Sequence, residues 1–182
     1  MNNKLILIIV LVSLLTLGVI LFFRKRIVDY VLAGQNEEYL KELHIEARPI
    51  FEKFIKAVLE ETGFGLIITS GDRSFAKQAS LDASESIAAP AGLSYHNYGM
   101  AIDANAIKGT TWLKKSSSKQ AWVNSGIPAI AKRFGIVWLG ENTTDRVHFH
   151  YAVKGLTTQQ LLAKAKQQFG SIENIKGNEV IV

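Results

Sequence analysis

The fold is decided by two stretches of the sequence, SYHNYGMAID at residues 94–103 and DRVHFH at residues 145–150. Together they offer a carboxylate and two or three imidazoles, which is a usual ligand set for a Zn²⁺ that keeps one position open for water. The chain contains no cysteine, so any metal must be bound by His, Asp or Glu. The two stretches therefore predict a zinc hydrolase.

The spacing of His96 and Asp103 predicts a loop followed by a strand. On one helix, residues seven positions apart would stand roughly 10 Å from each other, too far for a shared ion. A loop that turns at Gly99 and then enters a strand brings them together, because glycine allows a tight backbone. Alternation in that strand places Asp103 on the face opposite to Met100 and Ile102.

A second strand is predicted at residues 147–151, where apolar residues alternate with His148 and His150. The two histidines then share one strand face, and both could bind one ion. A zinc hydrolase also needs a carboxylate that is not a ligand, to take a proton from the bound water and pass it to the leaving nitrogen. The candidates near these stretches are Asp103, Glu141 and Asp145.

The remaining periodicities predict a mixture of helices and strands. Apolar residues at three- and four-residue spacing predict a helix that starts at Arg48-Pro49, ends near Gly63 and buries one face. Residues 66–69 predict a buried strand. Further helices are expected at 74–86, at 122–134 with an interruption near Pro128, and at 157–168, with an extended loop at 90–97. The predicted buried face of the first helix consists of Phe51, Phe54, Ile55, Val58 and Leu59.

The N-terminal region predicts a membrane anchor. Residues 5–23 carry no charge, and 19 helical residues cover roughly 28 Å, about the thickness of the hydrocarbon layer. The run ends in FFRKR at residues 22–26 rather than in a small-residue cleavage site, which favours an uncleaved anchor. We expect an anchor at 1–26, a membrane-proximal helix or stalk at 27–45, in which His44 is solvated, and a catalytic domain at 46–182.

The net charge of the chain gives little information about its binding partners. The formal net charge is +5, but outside the membrane flank there is no dense basic run and no basic stripe with interleaved aromatic residues, so a nucleic-acid partner is not expected. The basic residues 24–26 favour a cytoplasmic domain by the positive-inside rule. That orientation conflicts with the extracytoplasmic role that follows from the family resemblance.

The sequence resembles the zinc peptidases that cut bacterial peptidoglycan stem peptides, which include D-alanyl-D-alanine carboxypeptidases and dipeptidases and phage L-alanyl-D-glutamate endopeptidases. The resemblance spans roughly residues 45–155, with the motifs in the expected order. The matching residues are SGDRS at 70–74 with Gln78, then Ser94, His96, Gly99, Ala101 and Asp103, then Phe134, Gly135 and Trp138, and finally Asp145 and His148.

The resemblance implies a fold and a set of roles. The fold is α+β, with a small antiparallel sheet that carries the ligands and helices packed against it, as in D-alanyl-D-alanine peptidases and hedgehog signalling domains. The implied zinc ligands are His96, Asp103 and His148, with Asp145 as the general base. Arg73 would bind substrate and stabilise the oxyanion. The aspartate at 145, with Phe149 after the last ligand, favours the endopeptidase branch, and Ser94 and His150 are further candidates for substrate binding.

Two departures from the family pattern leave a second function open. Asp72 stands where tyrosine is usual and could pair with Arg73, which would weaken the hold of that arginine on substrate. His150 could bind substrate, or it could act as a fourth ligand and close the metal site. The alternative is therefore a membrane-tethered module that binds wall peptides without cutting them and whose zinc is structural.

Overall fold

The structure, a computed structural model, describes residues 34–82, 89–171 and 175–182. The predicted anchor and the end of the helix expected at 74–86 lie outside these ranges. No helix within them is both long and apolar enough to cross a membrane. The described residues from Gln35 to Val182 form one compact unit, which contains every strand described below.

The sheet consists of five antiparallel strands. They are β1 (Gly65–Ser70), β2 (Ala101–Lys108), β3 (Thr111–Leu113), β4 (Val137–Trp138) and β5 (His148–His150). Their order is β1-β2-β5-β4, and β3 also pairs with β2. The helices are α1 (described over residues 34–41), α2 (Arg48–Thr62), α3 (Phe75–Asp82), α4 (Lys119–Asn124), α5 (Ile127–Arg133) and α6 (Thr158–Phe169). The predicted α+β class with a small antiparallel sheet is confirmed.

Helix α2 packs on the sheet through the apolar face that its spacing predicts. Phe51, Phe54 and Val58 are buried, and the Phe54 ring lies 5.5 Å from that of Phe149 on β5. Leu59 is 36% exposed, so the buried face is narrower than predicted. The helix ends at Gly63, which adopts the left-handed conformation with φ of 72°, as expected for a glycine at this position.

The helix predicted at 122–134 is two short helices, α4 and α5, separated by Ser125 and Gly126. Pro128 lies in the first turn of α5, where its missing N–H leaves no hydrogen bond unmade. Gly126 has a φ of 80°, which lets the chain reverse between the two helices. The predicted interruption near Pro128 is thus confirmed, and it falls just before the proline.

Residues 35–45, from the predicted stalk, form part of the same compact unit as the sheet. Asn36 is buried; its amide donates to the Leu66 carbonyl at 2.7 Å, and its side-chain oxygen accepts from the Ile68 N–H at 2.8 Å. One side chain therefore satisfies two backbone groups of β1. The predicted boundary between stalk and catalytic domain at residue 46 stays a prediction.

His44 is buried rather than solvated, so that expectation was wrong. Its Nδ1 accepts a hydrogen bond from the Glu46 N–H at 3.2 Å, which leaves Nε2 to donate to the Val180 carbonyl at 3.1 Å. The partner of the imidazole lies 136 positions away in the sequence. A contact over that separation leaves no trace in local sequence pattern.

Candidate active site

The pairing of β2 with β5 brings two of the predicted ligands together. Asp103 is directly opposite His148 in the antiparallel register, and Ala101 is opposite His150. Directly opposed residues on one sheet face have their Cβ atoms about 5 Å apart. The two side chains therefore reach a common point without any distortion of the strands.

The three predicted ligands offer donor atoms at the corners of a nearly equilateral triangle. His96 Nε2 lies 3.1 Å from Asp103 Oδ1 and 3.1 Å from His148 Nδ1, and the latter two atoms are also 3.1 Å apart. Tetrahedral zinc with bonds of about 2.0–2.1 Å has edges of about 3.3–3.4 Å between its ligand atoms. The donor set therefore fits a zinc ion in chemistry and in spacing. It is also the only such group of three or more His, Cys, Asp or Glu side chains in the described part of the chain.

His96 is presented by a short 3₁₀ turn, Tyr95–Tyr98, in the loop that was predicted to be extended. Ser94 caps the turn, because its hydroxyl accepts from the His96 N–H at 3.3 Å. Gly99 ends the turn with a φ of 61°, and a Cβ there would lie 2.5 Å from the backbone nitrogen of His44. Only glycine meets both conditions. The predicted turn at Gly99 is therefore confirmed.

The orientation of the His96 ring is fixed by the backbone. Its Nδ1 lies 2.6 Å from the carbonyl oxygen of Gly71, and a carbonyl can only accept, so Nδ1 carries the proton. Nε2 then has its lone pair free to bind a metal. A hydrogen bond of this kind to the far nitrogen of a ligating histidine is the usual way in which proteins fix its tautomer.

Asp103 is held in its charged form. Burial opposes ionisation of this carboxyl, but hydrogen bonds with His148 and His96, together with their charges, hold its pKa well below the usual range. His96 is 2% exposed at its side chain and Asp103 is 19% exposed. The site thus presents one carboxylate and two imidazoles from an interior position, as a metal requires.

Arg73 reaches the same site from the segment after β1. One terminal nitrogen donates to Gln78 Oε1 at 2.9 Å, and the other lies 2.9 Å from Ser70 Oγ and 3.3 Å from Asp103 Oδ2. The register of β1 with β2 shifts between Ile68 and Ser70, just before the segment that carries Arg73. Arg73 is thus anchored beside the ligand triangle.

Asp72 could have paired with Arg73, but within the described residues the two side chains form no ion pair. One of its carboxylate oxygens, Oδ1, is buried without a hydrogen-bond partner among the described residues. Burial, and secondarily the negative charge of Glu42, raise the pKa of Asp72 to about 6. The ion pair that the structure gives to the Arg73 guanidinium is the one with Asp103.

Asp145 lies on the wall of a cavity of about 630 Å³ that also contains the three ligands, Arg73 and Ser94. It follows β4 in a loop where its backbone N–H donates to the Thr143 hydroxyl at 3.0 Å. Within the ranges that the structure describes, the Asp145 carboxylate has no hydrogen-bonding or ion-pairing partner. Glu141, the other candidate base, is exposed and does not line the cavity.

His150 stays outside the ligand triangle. Its ring stacks on Tyr95, with centroids 4.3 Å apart and planes 11° from parallel, and its centroid is 5.5 Å from that of His148. Burial, followed by the charges of His148 and His96, lowers the pKa of His150 to about 4. The imidazole therefore packs beside the site rather than completing the donor set.

Two residues of this region were not predicted from the sequence. Asn97 is buried, accepts from the Gly92 N–H at 2.9 Å and donates to the Arg73 carbonyl at 2.8 Å, so it joins two loops of the site. Lys115 lines the cavity from the segment after β3. Asparagine in a loop is a weak signal of such bonding, and nothing in the local sequence marks Lys115.

One family of known proteins matches the part of the chain that carries the site. Residues 88–151, which contain all three ligands, match the model of a family described as D-alanyl-D-alanine carboxypeptidase. No curated protein matches the chain significantly in sequence. The match to the family model confirms the predicted resemblance to zinc peptidases of bacterial cell-wall peptides. The description of that family agrees with the predicted peptidase activity.

Several solved structures are also similar to the chain. One is the L-Ala D-Glu endopeptidase ChiX of Serratia marcescens, with 22% identity and a TM-score of 0.48 over 66% of this chain and 89% of that one. Another is the vancomycin resistance D,D-pentapeptidase VanY from a VanB-type cassette in complex with Zn(II), with 19% identity and a TM-score of 0.47 over 66% and 78%. The individual roles of Asp145, Arg73, Ser94 and His150 stay predictions.

Proposed function

We propose that this protein hydrolyses a peptide bond in the stem peptides of peptidoglycan. The observation that carries the proposal is the ligand triangle of His96, Asp103 and His148, which lies on the wall of a cavity. The same wall holds the carboxylate of Asp145, which is unpaired among the described residues. Three protein ligands leave a coordination position open, as in catalytic rather than structural zinc sites. Zinc bound there would polarise the scissile carbonyl and lower the pKa of the attacking water.

Asp145 is the proton carrier in this proposal. Its carboxylate takes a proton from the attacking water and passes it to the nitrogen of the leaving amine. A general base must be free to accept, and Asp145 has no competing partner in the described ranges. Asp103 cannot serve, because both histidines and Arg73 already engage its two oxygens.

Arg73 binds the substrate oxygen that becomes negatively charged. Three of its interactions, with Ser70, Gln78 and Asp103, use part of a guanidinium that has five N–H donors. The remaining donors are available to the carbonyl oxygen of the scissile bond. Because the arginine is already fixed, it needs no rearrangement when charge develops.

Two observations favour catalysis over the alternative of a binding module with a closed zinc site. His150 stacks on Tyr95 and contributes no donor to the ligand triangle. Arg73 is oriented toward the ligands instead of being paired with Asp72. Both observations therefore favour an open, catalytic zinc site.

Among the possible bonds, we propose the one between L-alanine and D-glutamate. The support comes from the sequence, since an aspartate at 145 and Phe149 after the last ligand resemble the endopeptidase branch. Cleavage before the terminal D-alanine is the competing outcome. The two reactions release products of different mass, so a single measurement distinguishes them.

We further propose that residues 5–23 anchor the chain and that the catalytic domain lies on the extracytoplasmic side. The length and apolar character of this run support an anchor, and a wall substrate requires that side. The basic residues 24–26 favour the opposite orientation. Protease digestion of the full chain in intact spheroplasts, detected through a C-terminal tag, tests the proposal; a protected tag that becomes accessible only after lysis would overturn it.

The first experiment is mass spectrometry of a complete stem pentapeptide after incubation with the zinc-loaded protein. A parallel sample with chelator, and one with Asp145→Asn, serve as controls. We expect cleavage in the first sample only, with fragments that begin at D-glutamate. An intact peptide, with zinc occupancy confirmed, would favour the binding module instead.

A further inference from the structure

Lys115 is a second cation on the wall of the active-site cavity, besides Arg73. It lies in the segment between β3 and α4, whereas Arg73 follows β1. None of the predicted roles involves it. Its position raises the question of which negative charge it faces when a peptide occupies the cavity.

The two cations differ in what already neutralises them. Arg73 forms an ion pair with Asp103 at 3.3 Å. The Lys115 ammonium has no acidic or carbonyl partner in residues 34–82, 89–171 and 175–182. Even Asp145, which lines the same cavity, forms no ion pair with it. Lys115 is therefore the cation of this wall whose charge is available to a ligand.

The backbone beneath Lys115 is fixed although its side chain is exposed. The carbonyl of Lys114 accepts from Trp122 Nε1 at 3.1 Å and from the Ser117 N–H at 3.0 Å. The Lys114 N–H donates to the Ser117 hydroxyl at 3.0 Å. Because the backbone at this position is already ordered, Lys115 loses only side-chain freedom when it binds an anionic group. This lowers the entropic cost of the ion pair.

The segment that carries Lys115 leads into α4, and α4 is bonded to the residue that precedes the Asp145 loop. Lys119 donates to the Glu141 carbonyl at 2.8 Å, and Glu141 stands at the start of the loop that carries Asp145. Lys115 and the proposed base are therefore held by connected segments. A contact between Lys115 and the substrate would help to place the peptide relative to Asp145.

We propose that Lys115 binds a carboxylate of the substrate and so selects anionic stem peptides. This inference rests on the proposed function. A stem peptide offers two such groups, the α-carboxylate that a γ-linked D-glutamate leaves free and the carboxylate at the C terminus. Amidation of either group removes its charge with little change in shape, so the chemistry itself provides matched ligands.

The test compares three zinc-loaded proteins, unchanged, Lys115→Gln and Lys114→Gln, on three peptides. The peptides are the free acid, the form amidated at D-glutamate and the form amidated at the C terminus. Lys114 is the matched control, because its ammonium lies over the Trp112 ring at 5.1 Å and it does not line the cavity. Both kcat/KM and the dissociation constant are measured, the latter in the Asp145→Asn background.

We expect one amidation to weaken kcat/KM and binding by about five- to tenfold in the unchanged protein, as for a charge-assisted hydrogen bond at a partly exposed site. Lys115→Gln should abolish that preference and Lys114→Gln should keep it. The amide that causes the loss identifies which carboxylate is bound.

The inference would be overturned if each amidation weakened binding and kcat/KM as much in Lys115→Gln as in the unchanged protein. It would also be overturned if neither amidation had an effect in the unchanged protein, even if cleavage is efficient. Absence of cleavage together with a preference in binding that depends on Lys115 would overturn the proposed peptidase activity and support the carboxylate contact. Measurement of binding and cleavage side by side thus separates the two failures.

Discussion

Asp103 and His148 lie directly opposite each other across β2 and β5, and their donor atoms are 3.1 Å apart. The metal site is therefore set by strand register. A slip of one residue would turn either side chain to the other face of the sheet. His96 reaches the same point from a turn that depends on Gly99, so the site joins one long-range pairing with one local turn.

The first prediction concerns metal content. His96→Ala should lose zinc, because two remaining ligands do not hold the ion and the ring bonded to Gly71 is gone. His150→Ala is the matched control: it removes an imidazole two positions from a ligand but no donor of the triangle, and should retain one zinc per chain. Elemental analysis after dialysis measures both variants. Zinc loss from His150→Ala comparable to that from His96→Ala would mean that His150 is a ligand.

The second prediction concerns the proton carrier. Asp145→Asn should retain zinc and fold normally, while turnover falls by about 10²–10⁴-fold, the usual contribution of a general base. Glu141→Gln, a change of the same kind four positions earlier at an exposed residue outside the cavity, should leave turnover unchanged. The readouts are kcat on a stem peptide and zinc content. Full turnover by Asp145→Asn would require another base.

The third prediction concerns the guanidinium of Arg73. Arg73→Lys keeps the charge, but an ammonium cannot bind Ser70, Gln78 and Asp103 in a fork and still donate to substrate. We expect kcat/KM to fall by about 10²-fold, as when one oxyanion donor is removed, with zinc content unchanged. A purely structural role would instead appear as a lower melting temperature with normal activity per folded molecule, and both quantities are measured together.

The elements that sequence predicts well are those with strong local signals. The apolar spacing in α2 gives its buried face and its end at Gly63, and the seven-residue separation of His96 and Asp103 requires a turn at Gly99. The alternation around His148 gives a strand but not its register. It leaves open which imidazole is the ligand, and only the opposition of Asp103 and His148 in the folded sheet brings the latter to the site.

The contacts that sequence does not predict are those between segments far apart in the chain. His44 bonds to Val180 over 136 positions, and Arg73 turns to Asp103 rather than to its neighbour Asp72. In both cases the tertiary fold chooses the partner among several polar groups of suitable chemistry. Lys115 is a third case. It follows β3, and β3 is positioned by its pairing with β2.

The last prediction concerns stability and pH at Asp72. Burial above all, and then Glu42, raise its pKa from an ordinary value of 3.8 to about 6, so the fold favours the protonated carboxyl. The stabilising contribution of that proton is complete below pH 4 and is lost as the pH rises through 6. At pH 8 the fold therefore holds an unfavourable charge, and one oxygen of this carboxylate is buried without a hydrogen-bond partner among the residues that the structure describes.

Asp72→Asn, which mimics the protonated acid, should accordingly raise the free energy of unfolding at pH 8 by about 1 kcal/mol, a value reduced for screening by water at a partly exposed group. At pH 3, below the ordinary pKa of 3.8, the carboxyl is mostly protonated in both the folded and the unfolded protein, and the difference from the unchanged protein should be close to zero. Urea unfolding at both pH values measures it, with Glu38→Gln on the exposed side of α1 as the control for loss of a charge. An equal gain at both pH values would assign the effect to packing, and destabilisation at pH 8 would mean that the Asp72 carboxylate is stabilised in the fold.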